Sequence, residues 1–112
     1  MADIVLKRMV TDLAKIDGLL ESIVTSKDGV VLAEHVDRDP DGFGALCTFA
    51  GSIGEQVCTD MDLGELSDVV VSGAGSKILT VPHDDYFIGA GIDGTASVAI
   101  VEKEIRTVLR GI

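Results

Sequence analysis

The stretch DGFGALCTFAGSIGEQVCTDMD, residues 41–62, decides how this chain is built. Wound at 3.6 residues per turn, it sorts into three stripes. Phe43, Leu46, Ala50, Ile53, Val57 and Met61 follow at steps of three and four and share one large, apolar face. Gly44, Cys47, Gly51, Gly54 and Cys58 form a second stripe in which every member is small. Asp41, Ala45, Thr48, Ser52, Glu55, Thr59 and Asp62 form a third, mostly polar, expected to meet water. A glycine inside a helix costs roughly 1 kcal/mol against alanine, so the three glycines oppose this helix by about 3 kcal/mol. Close approach of another backbone is what small residues at helical spacing allow. The expectation is a helix buried on two sides, its large stripe on its own sheet and its small stripe on a second helix.

Outward from this helix, the chain alternates clear punctuation with short apolar runs. Residues 3–16 read as a first helix, with Asp3 as N-cap and Val5, Met9, Leu13 and Ile16 as its apolar stripe, stopped by Gly18. Leu19 to Thr25 and Val30 to Val36 read as two strands joined by Ser26-Lys27-Asp28-Gly29, a hairpin built on Asp-Gly. Asp39 is placed to cap the middle helix, with Pro40 at its first position. After it come three strands, Glu65 to Gly73, Lys77 to Pro82 and Tyr86 to Gly91, and a last helix from Thr95 to Arg110 in which Glu102 and Arg106 pair at i, i+4. The last helix buries Val98, Val101, Ile105 and Val108. The order α-β-β-α-β-β-β-α, with short turns inside each block, makes an α+β domain with one five-stranded antiparallel sheet, expected to span residues 1–112 as a single domain.

Composition narrows the function. Nineteen acids against nine Lys and Arg give a net charge of -10, which repels phosphate backbones and argues against nucleic acid as a direct partner. A hydrophobic content of 46% and a mean hydropathy of +0.38 are high for a small acidic chain and point to apolar surface covered by a partner. No apolar run approaches 18 residues and the first 16 residues are studded with charge, so neither a membrane span nor a signal peptide is expected and a cytoplasmic protein is. Cys47 and Cys58, eleven apart on one helix face, stand about 16 Å apart along the axis and cannot pair within the chain.

Three motifs invite chemistry and each falls short. Asp37-Arg38-Asp39-Pro40-Asp41-Gly42 begins like a calcium loop, but its twelfth position is Thr48 where a bidentate glutamate is needed, so no metal is expected. Gly89-Ala90-Gly91-Ile92-Asp93-Gly94 is a literal G-x-G-x-x-G after a strand, yet a dinucleotide fold needs a further parallel strand and the chain ends at Ile112, so no cofactor is expected. His83 beside Asp84 and Asp85 has no nucleophile or metal set at a supporting spacing, and an enzyme is not the reading.

With the element order in place, the chain resembles the Roadblock family, the dynein light chain superfamily that also includes bacterial and archaeal regulators of small Ras-like GTPases. The resemblance runs through the hairpin Ile23-Val24-Thr25-Ser26-Lys27-Asp28-Gly29-Val30-Val31-Leu32-Ala33, the long middle helix, and the strands Lys77-Ile78-Leu79-Thr80-Val81 and Tyr86-Phe87-Ile88-Gly89. It implies a sheet with the middle helix on one face and the terminal helices on the other. It also implies a dimer, of this chain with itself or with a paralogue, in which middle helices pack together and third strands pair. The contacts would then be Gly44, Cys47, Gly51, Gly54, Cys58 and the edge residues Val69, Val70 and Val71. By the resemblance the chain is a non-enzymatic scaffold binding a small Ras-like GTPase; Phe49, which falls outside the three stripes, and the acidic segment from Asp60 to Glu65 are the candidate partner contacts. Longin and profilin domains share such shapes, and a small-ligand sensor is the alternative.

Overall fold

The computed structural model describes residues 2–111. Its elements are α1 (Ala2–Leu13), β1 (Leu19–Ser26), β2 (Val31–His35), α2 (Pro40–Asp60), β3 (Val69–Ser72), β4 (Ser76–His83), β5 (Tyr86–Asp93) and α3 (Val98–Arg110). The five strands form one antiparallel sheet in the order β2-β1-β5-β4-β3, so the two hairpin blocks meet along β1 and β5 and β3 lies on the outer edge. Gly29 takes the hairpin turn at φ +92°, a conformation open to glycine at no steric cost.

Strand pleating assigns alternate residues to the two faces. Val24, Leu79, Val81, Ile88, Ala90 and Ile92 point to one face, where Leu6, Met9, Val10 and Leu13 of α1 and Val101, Ile105 and Leu109 of α3 complete the main core. Their neighbours on the other face meet α2 in a much smaller cluster, Ile23, Phe43 and Cys47, edged by Val31, Val36 and Ile78. The middle helix therefore covers one face alone and the terminal helices cover the other.

Local capping follows the sequence. Asp39 accepts hydrogen bonds from the Asp41 and Gly42 amides and Pro40 opens α2. Ser97 caps α3, two residues later than the expected start at Thr95, and Arg106 donates to Glu102 over 2.8 Å. Helix α1 begins at Ala2, ahead of the expected cap Asp3, whose side chain lies outside the described surroundings. It also ends early, and its buried face is Leu6, Met9, Val10 and Leu13, with Val5 half-exposed.

The third strand is shorter than its apolar run. Residues 65–68 do not pair with β4: Asp62 and Gly64 turn the chain through positive φ ahead of them, continuation of the register would set Ser67 opposite Pro82, which has no amide hydrogen to donate, and the Ser67 carbonyl instead accepts from Arg106 at 3.0 Å. Glu65 is exposed in this connection.

Candidate interface on the middle helix and the edge strand

Helix α2 is turned the opposite way from the expectation. Its small stripe faces its own sheet. A Cβ at Gly44 would meet Val31 Cγ2 at 3.0 Å and Thr25 Cγ2 at 3.1 Å, and one at Gly51 would meet Phe87 Cε1 at 2.5 Å. Cys47 is buried over Gly89, where a Cβ would come within 2.5 Å of its Sγ. Gly54 rests on Val69 and Leu66. The physical reason is the sheet beneath, which already carries Phe87 and Ile23 on that face and can accept a helix at close range only through side chains of near-zero volume. Gly44, Cys47 and Gly51 are thus withdrawn from any second helix, Gly54 is half-buried within the chain, and Cys58 is half-buried at the edge.

The large stripe consequently points away from the core. Only Phe43 of the six is buried. Leu46 is 67% exposed, Phe49 65%, Ile53 49% and Val57 47%, with Met61 and Leu63 also open. Together with Val69 and Val71 they line an apolar groove of about 700 Å³ between α2, the connection after it and β3. Val70 and Val71 are exposed and β3 has no strand on its outer side, so a hydrophobic helix face and an unpaired strand edge lie side by side. Monomers rarely leave either uncovered. Residue periodicity located these side chains but not their direction; the high hydropathy pointed to covered apolar surface without saying which residues form it.

Thr48 is the other departure. Expected in water, it is buried and its hydroxyl meets that of Thr25 at 2.8 Å, joining α2 to β1. The rim of the helix is set by Lys27, which binds Glu55 at 2.7 Å and lies 4.2 Å from the Phe87 ring centre, and by Arg38, which pairs with the buried Glu21 and stacks 4.9 Å from the Phe43 ring centre. Asp60 and Glu65 sit exposed beyond the C-terminal end of the apolar face.

Potential chemistry is quiet around this face. Burial pushes the Cys47 thiol up to about 11, against an opposing hydrogen bond from Thr80, so the nucleophilic thiolate is scarce. A polar cleft of about 930 Å³ opens at one end of the sheet among Lys27, Glu55, His83 and Arg106, and His83 lies 3.7 Å from Asp84. On its floor Arg106 holds Glu102 and Ser67; burial raises the Glu102 carboxyl above its ordinary range, as do Asp68's hydrogen bond and charge, while Arg106 opposes. Gly89 and Gly91, read as a nucleotide motif, stand within β5 and serve close packing against Cys47 and Glu21. Among the described residues no group of three or more His, Cys, Asp or Glu gathers as a metal site, and no helix is long and apolar enough to cross a membrane.

The same architecture recurs in known proteins. A Roadblock/LC7 domain from Streptomyces avermitilis superposes with a TM-score of 0.84 at 19% identity, over 94% of this chain and 92% of that one. Myxococcus xanthus MglB gives 0.76 at 12% identity, over 96% and 81%. Profilin IB of Acanthamoeba castellanii gives 0.69 at 10% identity, over 94% of both chains, which bears out the shared shape with profilins. In sequence, an uncharacterized protein of Methanocaldococcus jannaschii is 23% identical over 103 residues, covering 90% of this chain and 87% of that protein. The Roadblock/LC7 domain model matches residues 6–90, and on that match, with the sheet order and the helix layers already described, the chain belongs to the Roadblock/LC7 domain family.

Proposed function

We propose that this chain is a non-catalytic, cytoplasmic platform that dimerises with itself or a paralogue and, as a dimer, binds a small Ras-like GTPase to modulate or localise it. The observation that carries the reading is the outward-facing row Leu46, Phe49, Ile53 and Val57 beside the unpaired edge of β3. Covering this row removes apolar side chains from water at about 25 cal/mol per Å², and a strand added at Val69–Ser72 satisfies the edge amides and carbonyls. The dimer contacts in this reading are Leu46, Phe49, Ile53, Val57, Val70 and Val71. Family membership supports the GTPase as the further partner, through surfaces left open once the dimer has formed.

The test is affinity capture of the tagged chain from its native lysate, with and without a non-hydrolysable GTP analogue, read by mass spectrometry. Recovery of a Ras-like GTPase that depends on the nucleotide is the expected result. Capture that brings down no GTPase under either condition sinks the reading. Weight then passes to a small-ligand sensor using the polar cleft at Lys27, His83 and Arg106, for which a metabolite that raises the melting temperature is the sign.

A further inference from the structure

The cations of this acidic chain are gathered away from α2. Three shallow depressions, of about 500, 410 and 250 Å³, flank the C-terminal half of α3. The first lies between α3 and the α1 side of the chain and is lined by Arg8, Asp12 and Lys15 together with Val5, Thr107 and Val108. The other two share Arg106 and Arg110, and add Glu102 and Lys103 in one and His83 in the other. Five of the nine Lys and Arg of the chain therefore line these depressions, against two of its nineteen acids. With histidine counted as neutral, the lining carries a net charge of +3 where the whole chain carries -10.

Both lining acids are already held. Asp12 lies 3.6 Å from Lys15 and 4.0 Å from Arg8, and Arg106 binds Glu102 at 2.8 Å. The Arg8 and Lys15 side chains are 81% and 75% exposed, so one shared carboxylate in water leaves both able to take a further anion. Lys103 and Arg110 are exposed and form no ion pair among the described residues; Arg110 donates to the Thr107 hydroxyl at 3.2 Å. Lys103, Arg106 and Arg110 succeed one another at steps of three and four, about 5 Å apart along the helix axis. Asp68, 3.8 Å from Arg106, and Asp84, 3.7 Å from His83, bound this surface toward the polar cleft, and Glu104 lines none of the three depressions.

At physiological salt, exposed charges more than about 8 Å apart are largely screened, so a group on this surface meets the local cations rather than the charge of the whole chain. The spacing of those cations selects the kind of group. Carboxylates at steps of three and four on a helix recur at the same interval of about 5 Å. A single phosphate would engage only part of a row that spans two turns, and a flat bilayer cannot enter hollows on both sides of the α3 ridge. We propose that the C-terminal half of α3 and the adjoining side of α1 form a docking surface for an acidic segment of a partner protein. Its carboxylates pair with Lys103, Arg110, Arg8 and Lys15, and its apolar side chains lie on the half-exposed Val5 and on Val108. Helix α3 packs on the sheet face opposite α2, so this surface stays open when the outward row of α2 is covered. The inference therefore goes beyond the platform reading and does not depend on it.

The probe is a fluorescein-labelled helical peptide of about 14 residues, with glutamates at steps of three and four and leucines between them, titrated with the full chain and read by fluorescence anisotropy. Binding is expected at low ionic strength, about 20 mM, and is expected to weaken by roughly tenfold near about 0.5 M. Lys103→Glu is expected to weaken it about fivefold, and Lys103→Glu with Arg110→Glu by about twentyfold, with circular dichroism confirming that the fold is kept. Lys7→Glu makes the same change of net charge at an exposed position that lines none of the three depressions, and is expected to leave binding within about twofold. No binding at low salt, or equal losses in Lys7→Glu and Lys103→Glu, overturns the proposal. Displacement of the peptide by inorganic phosphate at matched ionic strength also overturns it, in favour of a phosphate-bearing ligand. So does sedimentation of the chain alone that slows in Lys103→Glu, since the surface would then be occupied by a second copy. Ile53→Asp, on the α2 face, is expected to leave peptide binding unchanged, so failure here and failure of the platform reading are read separately.

Discussion

Gly51 lies on the ring of Phe87 so closely that a single added carbon would stand 2.5 Å from Cε1 and 2.7 Å from Cδ1. The contact fixes the distance between α2 and the sheet. Gly51→Leu is therefore expected to destabilise the isolated chain by about 3 kcal/mol or more, since overpacking here has backbone on one side and an aromatic ring on the other. Urea unfolding followed by circular dichroism measures it. An unchanged midpoint accompanied by a lost dimer would return the small stripe to the contact between chains.

The opposite stripe answers differently. Leu46→Asp and Ile53→Asp place charge on exposed positions, so each is expected to shift the unfolding free energy by no more than about 0.5 kcal/mol. Each is also expected to weaken association by tenfold or more, visible as a slower-sedimenting species. Dimers of wild-type affinity in both variants would remove the outward row from the interface.

Cys47 gives the fold a dependence on alkaline pH. Its folded thiol sits near 11 against an ordinary value near 9, chiefly through burial. Below pH 9 the thiol is protonated in both states and its contribution to stability is fully present. As pH rises from 9 to 11 only the unfolded chain ionises, and about 3 kcal/mol at most is lost. Cys47→Ala should flatten that part of the profile, read as the difference between the two proteins' unfolding free energies across the range. In native protein at pH 8, iodoacetamide should label Cys58 before Cys47; equal rates would show that Cys47 is not held protonated.

Asp39→Ala removes the acceptor for the Asp41 and Gly42 amides, at 3.3 and 3.2 Å. The expected loss is about 1 kcal/mol, with hydrogen exchange speeding up first in the opening turn of α2. Protection in that turn equal to wild type would mean that Pro40 alone sets the start.

Much of this was legible in the residues. Asp-Gly at 28–29, Asp39 before Pro40, and Glu102 four residues ahead of Arg106 are local signals, and each appears where it was read. The same local reasoning sorted most of α2 into stripes, though Phe43 and Thr48 are buried with the small residues and Phe49, placed in no stripe, is exposed beside Leu46 and Ile53. It could not orient them, because the direction depends on Phe87 and Ile23, residues distant along the chain that fill the sheet face beneath the helix. Nor could it shorten the third strand, since the register that sets Ser67 opposite Pro82, a residue with no amide hydrogen, is fixed only when β3 and β4 pair. The apolar face was legible only as an excess of hydropathy without a location.

Turning small residues inward and large ones outward divides α2 into two regions that answer to different physical constraints. Substitution along Gly44, Cys47 and Gly51 is judged by whether the chain folds at all. Substitution along Leu46, Phe49, Ile53 and Val57 leaves the fold largely untouched, because those side chains add little to the monomer's own core. A duplicated copy of this domain can therefore change the chemistry of its outward face in a few steps, with its scaffold undisturbed, provided the glycines beneath stay as they are.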